Sequence, residues 1–162
     1  DVVLTATCLE LQLLSDVTFS VDGALVDLSK TFNYKVMMFS DGANMATSCG
    51  YTNASWTLKA DLTCAYVCRL LNTMKKRGLR QATPRVGDAA WTPAPFLDFS
   101  SGYVTRAMEK FPKQGSKTPW RVHQNYARDL LALRYGSVDD GMEFSNPATP
   151  EATRAAQSRI TA

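Results

Sequence analysis

Apolar side chains recur every three or four positions between residues 55 and 77, which is the strongest pattern in the chain. This spacing predicts a long helix with one apolar face. Ser55 suits the N-cap, cations at positions 75 to 77 suit the last turn, and Gly78 suits the residue after the helix. The apolar residues that share the predicted face are Leu58, Leu62, Tyr66, Val67, Leu70, Leu71 and Met74.

Shorter patterns predict strands before this helix. Val2, Val3 and Leu4 form an apolar, β-branched run that favours a core strand opening the chain. Residues 17–21 alternate apolar and polar side chains, Asp22-Gly23 is a strong turn pair, and residues 24–26 can return as the second arm of a hairpin. Residues 34–39 and 45–48 read as two extended segments, separated by turn-forming residues.

After the long helix, the pattern predicts two more helices and little else. Residues 102–110 form a short amphipathic segment that stops before Pro112, and residues 120–135 are typical of a second full helix ended by Gly136. Residues 84–95 contain three prolines and a glycine, which favours an irregular connection. The sequence after Phe144 lacks large apolar residues and is expected to fray or to be disordered.

Composition places the chain among ordinary folded domains, with 45% hydrophobic and 20% charged residues in 162. There is no apolar run long enough for a membrane helix and no export signal, so we expect a cytoplasmic protein with reduced cysteines. The first 64 residues carry three basic and seven acidic side chains, and the remainder carry fifteen and eight. A nucleic-acid-binding domain is one interpretation of this basic half, but scattered charges favour a solvated surface.

The sequence offers few candidates for catalysis. Cys64 and Cys68 lie four residues apart on the predicted helix, where they could share a metal, but two small buried thiols are the favoured interpretation. His123 is the single histidine, and no glycine-rich phosphate-binding motif is present.

The turn that precedes the long helix is the best candidate binding site. It contains Gly50, Thr52 and Asn53, and free N–H groups at the start of a helix attract a carbonyl or phosphate oxygen. The alternative is that these residues only satisfy turn geometry and that Ser55 only caps the helix.

Three blocks, in order, carry a resemblance to a known family. They are residues 1–14 (DVVLTATCLELQLL), residues 44–71 (NMATSCGYTNASWTLKADLTCAYVCRLL) and residues 111–144 (FPKQGSKTPWRVHQNYARDLLALRYGSVDDGMEF). Together they resemble the C-terminal third of FAD-dependent monooxygenases of the Baeyer–Villiger type. The resemblance implies an NADPH- and FAD-dependent enzyme that, through a peroxyflavin, inserts oxygen into ketones or oxidises sulfur or nitrogen centres of a small organic substrate.

The resemblance also implies a fold and its organisation. The fold class expected is α/β: part of a Rossmann-like FAD-binding domain of a two-dinucleotide-binding-domain flavoprotein, with a helical C-terminal extension. Residues 1–80 would complete the FAD-binding domain, residues 81–145 would form the extension, and residues 146–162 would be a disordered tail. The family's two dinucleotide fingerprints and its catalytic arginine would lie in a missing N-terminal part, so no catalytic residue is expected in this chain.

By the same resemblance, the flavin would contact Thr7, Cys8, Gly50, Tyr51, Thr52, Asn53, Ser55 and Trp56. Cys8 and Val36 stand where the family pattern has glycine, and a side chain at such positions can crowd a ligand or strain the backbone. A rival interpretation is a non-catalytic interaction module, or a decayed paralogue, that only binds a partner chain such as the missing N-terminal part.

Overall fold

The chain folds as a mixture of helices and short strands, and the computed structural model describes residues 2–6, 9–87, 92–97 and 101–148. In these ranges the strands pair two by two, each pair antiparallel. The strands are β1 (Ser20–Val21), β2 (Ala24–Leu25), β3 (Asn33–Tyr34), β4 (Met38–Phe39), β5 (Gln81–Pro84) and β6 (Met142–Ser145). The helices are α1 (Trp56–Arg77), α2 (Gly102–Ala107) and α3 (Tyr126–Leu130), and 3₁₀ turns occupy Leu13–Asp16, Leu28–Lys30 and Met108–Lys110.

Helix α1 confirms the predicted bounds of the long helix, because it begins directly after Ser55 and ends directly before Gly78. Gly78 is left-handed, with φ of 66°, and its N–H bonds the carbonyls of Lys75 and Met74. The buried face consists of Lys59, Leu62, Thr63, Tyr66, Leu70 and Met74. Leu58 and Leu71 lie at the edges of this face and stay exposed.

The predicted hairpin around Asp22-Gly23 is confirmed, because β1 pairs with β2 directly across that turn. Residues 34–39 are not one extended segment, since β3 and β4 form a tight hairpin of their own. Lys35 and Val36 make its turn with positive φ angles of 50° and 61°. Val36 therefore occupies the kind of backbone conformation for which the glycine of the family pattern is suited.

The second long helix begins six residues later than the sequence pattern indicates. Residues 122–125 are not helical, and the Asn125 side chain caps α3 by accepting from the Arg128 N–H. A π-helical turn, Leu131–Tyr135, continues α3. Trp120, which we expected in the helix, is instead buried against Tyr34, with ring centroids 5.3 Å apart. The Arg69 guanidinium on α1 donates to the carbonyls of Leu133 and Gly136, which fastens the two helices together.

Strand β6 was missed by the sequence reasoning, which predicted no strand after the long helix. It pairs with β5 across about sixty residues, from Gln81 opposite Ser145 to Pro84 opposite Met142. This sheet and α1 enclose the main core. Its members are Tyr34, Met37, Met38, Leu62, Tyr66, Leu70, Met74, Ala82, Trp120, Leu133, Val138 and Met142.

Two further expectations are wrong. The opening segment, residues 2–6, forms no strand, and Val2, Val3 and Leu4 are each at least 85% exposed, because no described strand pairs with them. Cys64 and Cys68 are exposed on the outer side of α1 rather than buried.

Among the described helices, none has both the length and the apolar content needed to cross a membrane.

Candidate functional site

The turn before α1 brings most of the predicted site residues together. Gly50 and Tyr51 are buried, whereas Thr52, Asn53, Ser55 and Trp56 are exposed. The Thr52 N–H donates to Gln124 Oε1 at 3.2 Å, and Asn53 Nδ2 donates to the Gln124 carbonyl at 3.0 Å. The segment just before α3 therefore holds the turn in place. Thr7 and Cys8, the other two predicted contacts, lie outside the described residues.

Ser55 occupies the N-cap position but does not cap the helix with its side chain. Its hydroxyl pairs with Thr57 Oγ1 at 2.8 Å and accepts from no helix N–H. Among the described residues, no side chain caps the first N–H groups of α1, and these groups carry the positive end of the helix dipole. This end of α1 suits a carbonyl or phosphate oxygen.

Gly50 is required by the close approach of Trp56. A Cβ atom at Gly50 would overlap the indole ring, which lies directly over the glycine backbone. Trp56 remains 66% exposed in this position, so one ring face covers the turn and much of the ring is open to solvent. Any side chain at Gly50 would push the indole away and change the shape of the turn.

A buried ion pair contacts the turn through the Tyr51 side chain. Lys59 Nζ and the Tyr51 hydroxyl both donate to Asp129 Oδ2, each at 2.7 Å. The Lys59 and Asp129 side chains are 2% and 10% exposed. Burial, followed by the bond to Asp129, raises the pKa of Tyr51 above its ordinary value, so the hydroxyl remains a donor at neutral pH. The cluster links the first turns of α1 to α3.

An apolar cavity of about 660 Å³ opens beside the turn. Gly50, Tyr51 and Trp56 line it together with Val36 and Phe111. The volume is in the range of sites that bind small organic molecules. Burial raises the pKa of the Cys49 thiol on its lining, which keeps the thiol neutral.

These features fit one edge of a planar aromatic group that carries carbonyl oxygens, such as a flavin. The uncapped N–H groups at the start of α1 supply hydrogen-bond donors, and the cavity supplies apolar contact. The cavity could not be predicted from spacing, because its walls come from distant parts of the chain.

Sequence reasoning missed Lys59, Asp129, Gln124 and Asn33, which all contribute to this region. The burial of Lys59 could have been predicted from its spacing. It precedes Leu62 and Thr63 by three and four residues and so lies on the buried face of α1. The roles of Asp129 and Gln124 could not have been predicted from spacing, because these residues contact the turn only in the folded chain.

Other ionisable side chains contribute little to the site. His123 is half-buried ahead of α3, and burial, then Arg128 and Arg121, lower its pKa, which favours the neutral ring. Asp139 and Glu143 are exposed and pair with Arg77 and Arg85. Nowhere in the described ranges do three His, Cys, Asp or Glu side chains come close enough to hold a metal ion.

The chain is similar to monooxygenases from several bacteria. It is 47% identical over 151 residues to the FAD-containing monooxygenase EthA of Mycobacterium tuberculosis. The aligned residues cover 93% of this chain and 31% of that protein. It is 46% identical over 140 residues to EthA of Mycolicibacterium smegmatis, covering 86% and 28%. It is 38% identical over 161 residues to the "Probable FAD-binding monooxygenase AlmA" of Acinetobacter baylyi, covering 99% and 32%.

These likenesses confirm the resemblance to FAD-containing monooxygenases that the three sequence blocks predict. The chain spans less than a third of the length of these curated relatives. No protein-family model matches the chain, and no solved structure matches it.

Proposed function

We propose, from this likeness to FAD-containing monooxygenases, that the chain supplies one wall of the flavin site of such an enzyme. The single observation that carries the proposal is the uncapped start of α1, which faces out of the Gly50–Trp56 turn beside an apolar cavity. In the proposed enzyme, FAD held at this site would supply, with NADPH as reductant and O2 as oxidant, the oxidation of ketones or of sulfur and nitrogen centres.

The residues of this chain hold and shape the site in this proposal. N–H groups at the start of α1 bind a carbonyl oxygen of the ring, and the Trp56 indole offers an apolar face. Thr52 and Asn53 keep the turn against Gln124, and the Tyr51 hydroxyl ties it to Asp129. Thr7 and Cys8 would contact the same cofactor from the opening segment.

The partner in this proposal is the N-terminal part of the flavoprotein. The apolar side chains of Val2, Val3 and Leu4 are almost fully exposed, and a sheet of that N-terminal part would cover them. In this arrangement residues 1–80 complete the FAD-binding domain, while residues 81–145 form an extension that packs against it.

A chimaera tests the proposal. In it, this chain replaces the matching segment of EthA from Mycobacterium tuberculosis, and the visible absorption of the purified protein gives FAD per polypeptide. We expect FAD to be retained and oxygen to be consumed when NADPH is added. A folded chimaera that retains no FAD would contradict the proposal.

A glycine substitution then tests the turn itself. Gly50→Ala should lower FAD retention by at least about tenfold, because the added Cβ overlaps Trp56 and displaces the turn. Gly87→Ala is the matched control, since a Cβ there meets no atom of the described residues within 4 Å. Equal FAD retention by both variants, with unchanged far-UV circular dichroism, would remove the turn from the flavin site.

A further inference from the structure

Cys64 and Cys68 form a pair of exposed thiols on the outer side of α1. The sequence favoured two buried thiols over a shared metal, but burial no longer accounts for them, because both side chains are open to solvent. Residues four apart on a helix lie on the same face, with Cβ atoms about 5–6 Å apart. The two sulfur atoms can therefore reach the same ion from one side of the helix.

The helix holds the two cysteines at a fixed spacing. Helix α1 is continuous over 22 residues, and Leu62, Tyr66 and Leu70 fasten its opposite face to the core. A disulfide needs Cβ atoms about 3.5–4.5 Å apart, which is less than the helical spacing provides. A direct S–S bond would distort the helix, whereas an ion between the sulfur atoms bridges the wider gap. Because the helix is rigid, little conformational freedom is lost when such an ion binds.

The surroundings of the pair favour a soft ion that takes two ligands. No third His, Cys, Asp or Glu side chain of the described residues joins the two thiols. Asp61, one turn before Cys64, is already paired with Arg134 at 2.8 Å. Structural zinc sites have four ligands, and Ca²⁺ and Mg²⁺ prefer oxygen, so two thiolates suit none of these ions. Thiolates select the soft ion Cu(I), for which two sulfur ligands are sufficient.

We propose that Cys64 and Cys68 bind one Cu(I) ion between their sulfur atoms. Each thiol releases its proton and each sulfur forms one S–Cu bond. The copper remains monovalent throughout, so the step needs no oxidant or reductant. Neither cysteine is among the described residues that line the apolar cavity, and the copper site is therefore separate from the proposed flavin site. The proposal goes beyond that site, because it requires no FAD.

The test is a competition for Cu(I) between the 162-residue chain and bicinchoninate, a chelator that is coloured when it holds this ion. The buffer contains ascorbate and is free of oxygen and of other thiols. We expect one Cu(I) ion per chain. Cys64→Ser and Cys68→Ser should each raise the dissociation constant at least about hundredfold, because two linked ligands bind about 10²–10⁴ times more tightly than one. Both positions are exposed, so these variants should fold as the wild type does.

Two control variants complete the test. Cys68→Ser combined with Asn72→Cys retains two exposed thiols but places them eight residues apart, about 12 Å along the helix. This spacing variant should bind Cu(I) as weakly as Cys64→Ser does. Cys49→Ser removes a thiol from the cavity lining and should keep the wild-type constant. If the spacing variant or either single variant at positions 64 and 68 binds as tightly as the wild type, or the folded wild type binds no Cu(I), the proposal is wrong, and the flavin proposal is unaffected.

Discussion

The buried ion pair between Lys59 and Asp129 leads to a sharp prediction about stability. Lys59→Met and Asp129→Leu each remove one charge and introduce an apolar side chain in its place. We expect each single variant to be strongly destabilised and the double variant to be more stable than either. The double variant leaves no isolated charge in the core.

The magnitude follows from the burial of the pair. The side chains are 2% and 10% exposed, and Lys59 Nζ lies 2.7 Å from Asp129 Oδ2. Removing one partner leaves the other charge buried alone, which costs about 3–5 kcal/mol. Asp129→Leu also deprives the Tyr51 hydroxyl of its acceptor, at a further cost of about 1–3 kcal/mol. Replacing both charges removes the isolated-charge penalty, so the coupling between the two substitutions is several kcal/mol.

Urea unfolding followed by far-UV circular dichroism measures these changes, with α1 supplying much of the signal. The matched control is the exposed pair Arg134–Asp61, which joins α1 to the π-helical turn at 2.8 Å. Its side chains are 44% and 64% exposed, so its coupling should be only about 0–1 kcal/mol. Equal coupling for the two pairs, or a loss below about 1 kcal/mol in both Lys59→Met and Asp129→Leu, would refute the reasoning.

Two other predictions concern the β3–β4 hairpin and its core contacts. In the same assay, Val36→Gly should lower the free energy of unfolding by about 1–3 kcal/mol less than Val138→Gly does. Both valines are 7% exposed, but only Val36 has a positive φ, which glycine adopts without strain. Equal losses would contradict backbone strain at Val36. Burial, then Tyr66, raises the pKa of Tyr34, so the unfolded chain loses this proton first and stability falls as the pH rises above 10.0. Tyr34→Phe should remove about 1 kcal/mol of that fall between pH 10 and 11, and an unchanged fall over this interval would count against this burial.

Local signals made helix α1 and the first hairpin predictable. The helix repeats its apolar face over six turns, and Gly78 and the preceding cations mark its end. Asp22-Gly23 specifies its hairpin in the same way, because neighbouring residues alone determine the turn. The resemblance to FAD-containing monooxygenases was also readable, since it rests on long blocks in order rather than on contacts.

Predictions from local sequence were wrong where the structure of a segment depends on contacts with a distant segment. Val2, Val3 and Leu4 have the composition of a core strand, but a strand forms only when another strand supplies its hydrogen bonds. Residues 120–125 have helical spacing, yet burial of Trp120 against Tyr34 holds them outside the helix. Strand β6 was not predicted at all, because its partner, β5, lies far away in sequence and no local signal marks the pairing.

The sequence by itself determined the long helix, the turn before it and the likeness to flavin-dependent enzymes, because each depends on residues that are close together along the chain. Only the tertiary structure decided that Lys59 meets Asp129 across seventy residues and that Asn33 lines an apolar cavity. Burial and long-range pairing depend on which distant segments pack together, and no local spacing contains that information.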